Sequence, residues 1–206
     1  MHIANVQSLK TVWRRAAALV SVVALTTAAA VPARAAELQG QRYADRITLA
    51  GQSLQLNGLG MRAVAWIKGY VAGLYVPQKS HDATVLLESA GAKRIALRML
   101  READTEVFVA ALHAGLEKNH DAAQMQQFEG RMAAFDESIR AIGAVKPGDA
   151  VNLDFVPGQG LLMSINGQPR GRPIPGEDFY RAVMKIFIGD NPVDKRMKQG
   201  LLGNPA

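Results

Sequence analysis

One cation, Arg62, stands at the mouth of an otherwise apolar hairpin and is the residue best placed to do chemistry. The run G-L-G-M-R at 58–62 continues as A-V-A-W-I at 63–67, and Y-V-A-G-L-Y-V at 70–76 follows after K-G at 68–69. Two short runs rich in aromatic and β-branched residues around a Gly-containing break predict paired strands. Their lack of polar alternation indicates that both faces of the pair are covered. A guanidinium there is costly unless it is paired or faces a wet or ligand-filled cavity.

The predicted register of this hairpin suggests a binding face around Arg62. A two-residue turn at 68–69 would place Arg62 opposite Tyr75 and on one face with Trp66 and Gly73. Gly73 would leave a gap in that face, with a cation and a phenol at its rim. Such a concavity suits an anionic head group with an apolar tail.

This segment could instead have a structural role or bind a nucleotide. Arg62 could be a structural arginine at a strand end, paired with a carboxylate such as Asp45. The letters at 58–63 also match the G-x-G-x-x-A of a dinucleotide-binding turn. That turn needs a helix after it, so that the pyrophosphate meets a helix N-terminus. The residues that follow are typical of a strand, which argues against a nucleotide.

A histidine-containing set could in principle bind a metal. His113, Glu117 and His120 are spaced i, i+4 and i+7, which is one face of a helix if the helix extends that far. Two imidazoles and a carboxylate can bind zinc or copper. We expect the helix to end near Asn119, so a solvated helix end is favoured over a metal site. We therefore predict neither a metal site nor a cofactor.

The N-terminus has the pattern of a secretory signal peptide. Lys10, Arg14 and Arg15 precede an uncharged run rich in alanine, valine and leucine at 16–31, and a small-x-small cleavage signal ends at Ala35. We expect cleavage there, export to the periplasm, and a single mature domain at 36–206. No later stretch is long and apolar enough to predict an integral membrane protein.

Composition excludes several classes of function. The leader carries four of the 24 basic residues and no acidic one, so the net charge falls from +6 to +2 when it is removed. A charge this small gives no case for nucleic-acid binding, which needs a concentrated basic surface. The chain has no cysteine, so disulfides, thiolate metal sites and cysteine nucleophiles are absent. The domain must be held together by its core.

The mature chain predicts an α+β domain, with strand hairpins at both ends and helices between and after them. A polar lead-in at 36–43 precedes a first hairpin at 47–56. Further elements are predicted from apolar periodicity and capping signals: a short helix capped by Ser80 or Asp82, a strand at 95–99, helices from Asp104 and over 125–142, a hairpin at 151–165, and final helices at 179–188 and 193–202.

Several motifs, in order, resemble the chalcone isomerase family and specifically its exported bacterial branch. The resemblance covers roughly residues 45–203 and includes the hairpin described above. It continues in K-R-I-A-L-R-M-L at 93–100, D-T-E-V-F at 104–108, V-N-L-D-F-V-P-G-Q-G-L-L-M-S-I at 151–165 and F-Y-R-A-V-M-K-I-F-I-G-D-N-P-V-D at 179–194. The resemblance implies an open-faced β-sandwich in which helices pack on a large antiparallel sheet and a ligand cleft lies at one end.

The resemblance also implies which positions surround that cleft. In the plant enzymes, which cyclise a chalcone, a strand arginine stabilises the developing oxyanion, and Arg62 matches it. The other polar positions of that site fall near Tyr70, Asp104, Ala111 and Ile186, where the plant residue types are not retained. Other relatives bind fatty acids without known catalysis.

The sequence therefore predicts a binder of a small amphipathic, anionic molecule such as a fatty acid. The expected ligand-binding residues are Arg62, Tyr70, Tyr75, Gly73 and Trp66. One alternative is an isomerase acting on a phenolic or enone substrate, with Arg62 as oxyanion stabiliser. A second is a module that binds another envelope protein, in which Arg62 is structural.

Overall fold

Sixteen secondary-structure elements make up the part of the chain that the computed structural model describes, residues 35–204. The strands are β1 (Ala35–Leu38), β2 (Gln41–Ala44), β3 (Arg46–Leu49), β4 (Gln52–Val64), β5 (Ile67–Val76), β6 (Lys93–Met99), β7 (Ala103–Asp104), β8 (Ala144–Val145), β9 (Ala150–Val156), β10 (Gly160–Ile165) and β11 (Gln168–Ile174). The helices are α1 (Ala83–Glu88), α2 (Thr105–Glu117), α3 (Ala122–Arg140), α4 (Glu177–Ile188) and α5 (Lys195–Leu201). All of the predicted leader except Ala35 lies outside these residues.

A seven-stranded antiparallel sheet forms the framework, in the order β11-β10-β9-β6-β5-β4-β3. The helices α2, α3 and α4 pack on one face of this sheet and enclose the main apolar core. The predicted stripe of α3 lies in that core, with Phe128, Met132, Phe135 and Ile139 buried. The predicted α+β architecture, a large antiparallel sheet with helices packed on it, is confirmed.

The opposite face is covered in part by an element that the sequence analysis missed. Residues 36–43, predicted as a polar lead-in, belong to a hairpin formed by β1 and β2. Gln39 and Gly40 both have positive φ, as a tight two-residue hairpin turn requires. Tyr43 of β2 is buried in a second apolar cluster with Leu54, Val71 and Tyr75. The prediction failed because a single buried tyrosine in a short polar strand gives little periodic signal.

Four of the five helices between residues 35 and 204 begin at an aspartate whose side chain caps them, and α4 begins at Gly176 without a side-chain cap. Asp82 accepts hydrogen bonds from the first turn of α1, and Asp104 does so for α2. Asp121 and Gln124 form a reciprocal capping box at the start of α3. Asp194 caps α5, the short helix that packs on β4. Within residues 35–204, no helix is long and apolar enough to cross a membrane.

The register predicted for the β4–β5 hairpin is wrong. The turn lies at Ala65-Trp66, with Val64 paired to Ile67, and not at 68–69. A bulge at Gly69 then shifts the pairing, so that Arg62 is opposite Tyr70. Ala65 adopts a positive φ of 53° in this turn, a conformation that the sequence does not signal because glycine or asparagine usually supplies it.

Candidate functional site

An apolar cavity of about 100 Å³ lies between the sheet and the helices that cover it. The sheet contributes Leu97, Leu153 and Met163, and α2 contributes Phe108, Ala111 and Leu112. Val151 of β9 and Val145 of β8 also line the cavity. Side chains from α3, α4 and the adjoining loops complete the lining: Phe135, Ile139, Ile142, Val183, Ile186, Phe187 and Val193. A cavity lined almost entirely by hydrocarbon favours an apolar ligand, because few groups in its wall can hydrogen-bond water.

The phenol of Tyr70 is the polar side chain in this lining. Tyr70 lies on β5, directly opposite Arg62 on β4 and Met99 on β6. Burial raises the pKa of its hydroxyl, and the nearby Arg62 guanidinium only partly offsets that effect. The hydroxyl is therefore neutral at physiological pH and can either donate or accept a hydrogen bond.

Arg62 lies beside the cavity and not in its wall. One of its guanidinium nitrogens, Nη1, donates to the backbone carbonyl of Ala63 at 2.9 Å. The same nitrogen is 3.5 Å from Oδ2 of Asp194. The Arg62 side chain keeps 28% of its surface exposed. The alternative of a carboxylate partner is thus realised, although the partner is Asp194 and not Asp45.

Two glycines in the G-L-G-M-R motif explain how Asp194 reaches Arg62. Gly58 and Gly60 lie on the same strand as Arg62 and at positions of the same parity, so all three face α5. A Cβ on Gly60 would lie 2.8 Å from the Cα of Met197, and one on Gly58 would lie 2.7 Å from the backbone nitrogen of Gly203. Without side chains at 58 and 60, α5 sits directly on the backbone of β4.

Asp194 uses its two carboxylate oxygens for different purposes. Oδ1 accepts hydrogen bonds from the backbone nitrogens of Arg196 and Met197, at 2.9 and 3.0 Å, and so caps α5. Oδ2 faces Arg62. The close packing of α5 on the glycines therefore places a helix-capping carboxylate at the strand arginine. Asp194 was not predicted from the sequence, because a contact across 132 positions leaves no local signal.

Three of the predicted ligand-binding residues lie away from the cavity. Gly73 and Tyr75 are on the opposite face of the sheet, where the ring of Tyr43 fills the space beside Gly73. The Tyr75 hydroxyl donates to the carbonyl of Ala44. Trp66, at the hairpin turn, is 87% exposed. The wrong register accounts for all three, because it assigned to one face residues that the true pairing separates.

The positions taken from the family resemblance are better placed. Tyr70, Ala111 and Ile186 all line the cavity. Asp104 instead accepts a hydrogen bond from the backbone nitrogen of Glu106 and caps α2. The structure thus brings three of these four positions together, and it places Arg62 next to one of them. Whether these residues bind a ligand stays a prediction.

The histidine set does not form a metal centre. Nε2 of His113 lies 2.8 Å from Oδ2 of Asp136, and Nδ1 of His120 is bonded to the carbonyl of Leu116. No group of three or more histidine, aspartate or glutamate side chains suited to a metal ion is found in the described part of the chain. The His113 contact links α2 to α3, and the His120 contact lies just beyond the end of α2.

Comparison with known proteins agrees with the fold. The sequence profile of the chalcone isomerase-like family matches residues 35–203. The crystal structure of a fatty-acid binding protein from Arabidopsis thaliana superposes with a TM-score of 0.64, at 15% sequence identity, over 82% of this chain and 96% of the plant chain. At that identity the likeness shows the fold alone. No curated protein sequence matches this chain significantly. Because the family profile spans nearly all of the described residues, the chain belongs to the chalcone isomerase-like family.

Proposed function

We propose that this protein binds a small amphipathic molecule without transforming it. The apolar part of the ligand occupies the cavity between the sheet and α2, α3 and α4, and its polar head lies at Tyr70 and Arg62. One observation carries the proposal: a cavity lined by apolar side chains has a single hydroxyl in its wall, and a cation lies directly across the strand pair from it.

The size of the cavity limits what fits without movement. About 100 Å³ is less than the roughly 150 Å³ that holds a benzene molecule in an engineered protein core. A short acyl chain or the end of a longer one fits the cavity as it stands. A longer chain requires α2 to move outward at Phe108 and Ala111, which are not fully buried. Each methylene buried adds about 0.8 kcal/mol to binding.

A fatty acid is the first ligand to test. The Arabidopsis neighbour is named as a fatty-acid binding protein, and a carboxylate head suits the arginine beside the phenol. Arg62 is already partly neutralised by Asp194, so a carboxylate has to compete with that side chain. The affinity should therefore come mainly from the buried chain.

An isomerase is supported less well. In the described residues, the wall of the cavity contains no carboxylate or imidazole that could act as a general base. Ala111 and Ile186 offer no hydrogen bond to a substrate. The remaining support is Arg62 itself, which could stabilise an oxyanion. Turnover of a panel of chalcones, lost in Arg62→Ala, would favour catalysis.

We further propose that the protein acts in the periplasm. The support is the sequence of residues 1–35, with its basic start, apolar run and cleavable end. N-terminal sequencing of the protein isolated from its host would test this, because export predicts a mature chain that begins after Ala35. A protein that retains Met1 and fractionates with the cytoplasm would contradict it.

The ligand itself can be identified by native mass spectrometry of the protein purified from its host. We expect an adduct with the mass of a fatty acid or a similar amphipathic molecule, and exchange with added short- and medium-chain acids. In Arg62→Ala we expect acids to bind more weakly while the matching alcohols bind as before. Arg181→Ala is a matched control, since Arg181 also forms a half-exposed ion pair, with Glu88, away from the cavity.

Two results would count against the proposal. A protein that carries no adduct and ignores every added acid and alcohol would exclude the carrier role. If Arg62→Ala lowered only the melting temperature and left ligand binding unchanged, Arg62 would be structural, as in the protein-interaction alternative.

A further inference from the structure

Exposed large hydrophobic side chains cluster at the turn between β4 and β5. Five large hydrophobic residues are exposed between residues 35 and 204, and three of them lie within four positions: Val64 (60% exposed), Trp66 (87%) and Ile67 (46%). Exposing a tryptophan to this extent is unusual in a soluble domain. An exposed cluster of large apolar side chains indicates a surface that meets a partner.

This turn projects beyond the sheet. Among the β5 residues that pair with β6, Tyr70 is the one nearest the turn, and it pairs with Met99. In the described part of the chain, the residues from Val64 to Lys68 therefore form a two-stranded ribbon with no third strand beside it. Val64, Trp66 and Ile67 belong to neither apolar cluster of residues 35–204, so packing among those residues does not explain these side chains.

Basic side chains surround the exposed tryptophan. Trp66 lines an open groove together with Lys68 and Arg101, both of them exposed, and with one acidic residue, Glu102. The Nζ of Lys68 donates to the amide oxygen of Gln39 at 2.7 Å, and within residues 35–204 it has no acidic partner. An aromatic and aliphatic tip flanked by lysine and arginine has the chemistry of a segment that rests in the interfacial zone of a membrane.

We propose that the β4–β5 turn docks on a membrane that contains anionic phospholipids. Trp66 and Ile67 enter the interface, while Lys68 and Arg101 contact the head groups. A lipid surface fits better than a protein, because a specific protein interface buries about 800 Å² on each side and a two-residue turn supplies much less. A few apolar side chains and two basic ones are enough for reversible membrane binding.

The position of the turn connects this surface with the cavity. Arg62 lies two residues before Val64 on β4, and Tyr70 lies three residues after Ile67 on β5. Docking would therefore hold the cavity end of the molecule against the bilayer, where an amphipathic ligand is dissolved. The link between docking and the ligand rests on the proposed function, whereas docking itself can be tested without a ligand.

The test measures binding of the purified protein, expressed as the full chain, to vesicles of phosphatidylethanolamine and phosphatidylglycerol, with phosphatidylcholine vesicles for comparison. We expect the protein to sediment with the anionic vesicles, and we expect the bound fraction to decrease as salt is added. In the double variant Trp66→Ser/Ile67→Ser we expect binding to fall about tenfold or more, since two large apolar side chains no longer enter the interface. Any contribution of the N-terminal segment is the same in every variant and cancels in the comparison.

Val85→Ser is the matched control. Val85 is 54% exposed on α1, which follows the opposite end of β5, and its replacement should leave vesicle binding unchanged. Circular dichroism and thermal melting should show that the double variant Trp66→Ser/Ile67→Ser, called the tip variant below, is folded, because the replaced side chains are exposed. A separate fatty-acid binding assay in solution distinguishes failure of docking from failure of the proposed function.

Three results would overturn the inference. The first is a wild-type protein that does not bind anionic vesicles. The second is a tip variant that binds them as well as the wild type does. The third is a protein that is dimeric in solution and becomes monomeric in the tip variant, which would assign the turn to an interface between two copies of this chain.

Discussion

Asp194 places one carboxylate oxygen 3.5 Å from the guanidinium of Arg62 and uses the other to cap α5. The two residues are 132 positions apart, and they meet because Gly58 and Gly60 let α5 lie on the backbone of β4. The cation that the sequence singles out is therefore partly neutralised, and its remaining exposure decides how strongly it can attract an anionic ligand.

Asp194→Asn tests how far this carboxylate competes with a ligand. Asparagine caps helices about as well as aspartate, so stability should hardly change, while Arg62 keeps its full charge. We expect fatty-acid affinity to rise about fivefold, in line with the energy of a partly exposed ion pair. Displacement titrations with a fluorescent fatty acid would measure it.

Asp194→Ala is the companion variant, because it removes the cap as well and should cost about 1 kcal/mol of unfolding free energy. Unchanged or weaker acid binding in Asp194→Asn would mean that Arg62 does not contact the head group.

Gly60→Ala should disturb both stability and binding. The new Cβ would lie 2.8 Å from the Cα of Met197, so α5 must move away from β4 and take Asp194 with it. We expect a loss of about 2 kcal/mol in urea denaturation and an altered affinity for acids. Gly130→Ala is the matched control: it adds a Cβ in open space within α3 and should stabilise the protein by up to about 1 kcal/mol. Equal stabilities of the two variants would show that α5 is not held as described.

Gly73→Ala should disturb stability alone. Its Cβ would lie 2.7 Å from Cδ1 of Tyr43, in the cluster on the opposite face of the sheet from the cavity. We expect destabilisation of about 1–3 kcal/mol, measured by urea denaturation, with ligand affinity unchanged under conditions where the variant is folded. A selective loss of ligand binding at wild-type stability would restore Gly73 to the binding face and contradict the observed register.

Ala111→Phe should block the cavity from its outer side. Ala111 lines the cavity from α2 and is itself exposed, so a larger side chain can be accommodated without overpacking the core. We expect weaker binding of acids and of alcohols alike, with little change in melting temperature. Ala114→Phe, on the exposed surface of the same helix and away from the cavity lining, serves as the control. Tighter or unchanged binding in Ala111→Phe would place the ligand elsewhere.

Alkaline unfolding should report the burial of Tyr70. Burial raises the pKa of its hydroxyl above the ordinary value of 10.0, so the folded protein retains a proton that the unfolded chain releases. Below pH 10 both states hold this proton, so Tyr70 does not make the free energy of unfolding depend on pH. Above pH 10 the free energy of unfolding falls by about 1.4 kcal/mol per pH unit for one proton. In Tyr70→Phe we expect the unfolding free energy to fall less steeply with pH above pH 10, by the contribution of one proton. Urea denaturation across that pH range would measure it. An identical slope in both proteins would show that Tyr70 ionises freely in the folded state.

Much of the fold could be predicted from local signals. The α3 stripe and the cap at Asp104 were placed correctly, and Asp82 was one of two candidates for the α1 cap, because periodicity and capping depend on residues close in sequence. The β1–β2 hairpin was missed, since a short polar strand with one buried tyrosine has no such signal. The register of β4 and β5 was wrong, because a bulge at Gly69 and a positive φ at Ala65 depend on the neighbouring strand and not on the turn sequence.

The sequence alone determined the family and the α+β architecture, since these rest on the order of motifs, and it singled out Arg62 as one cation in an apolar segment. Only the tertiary structure decided what surrounds that cation. Tyr70 stands opposite it and Asp194 beside it, while Gly73 and Tyr75 lie on the other face of the sheet. The reason is physical: a one-residue change of strand register exchanges the two faces of a sheet, and a contact across 132 positions is set by how α5 packs on β4.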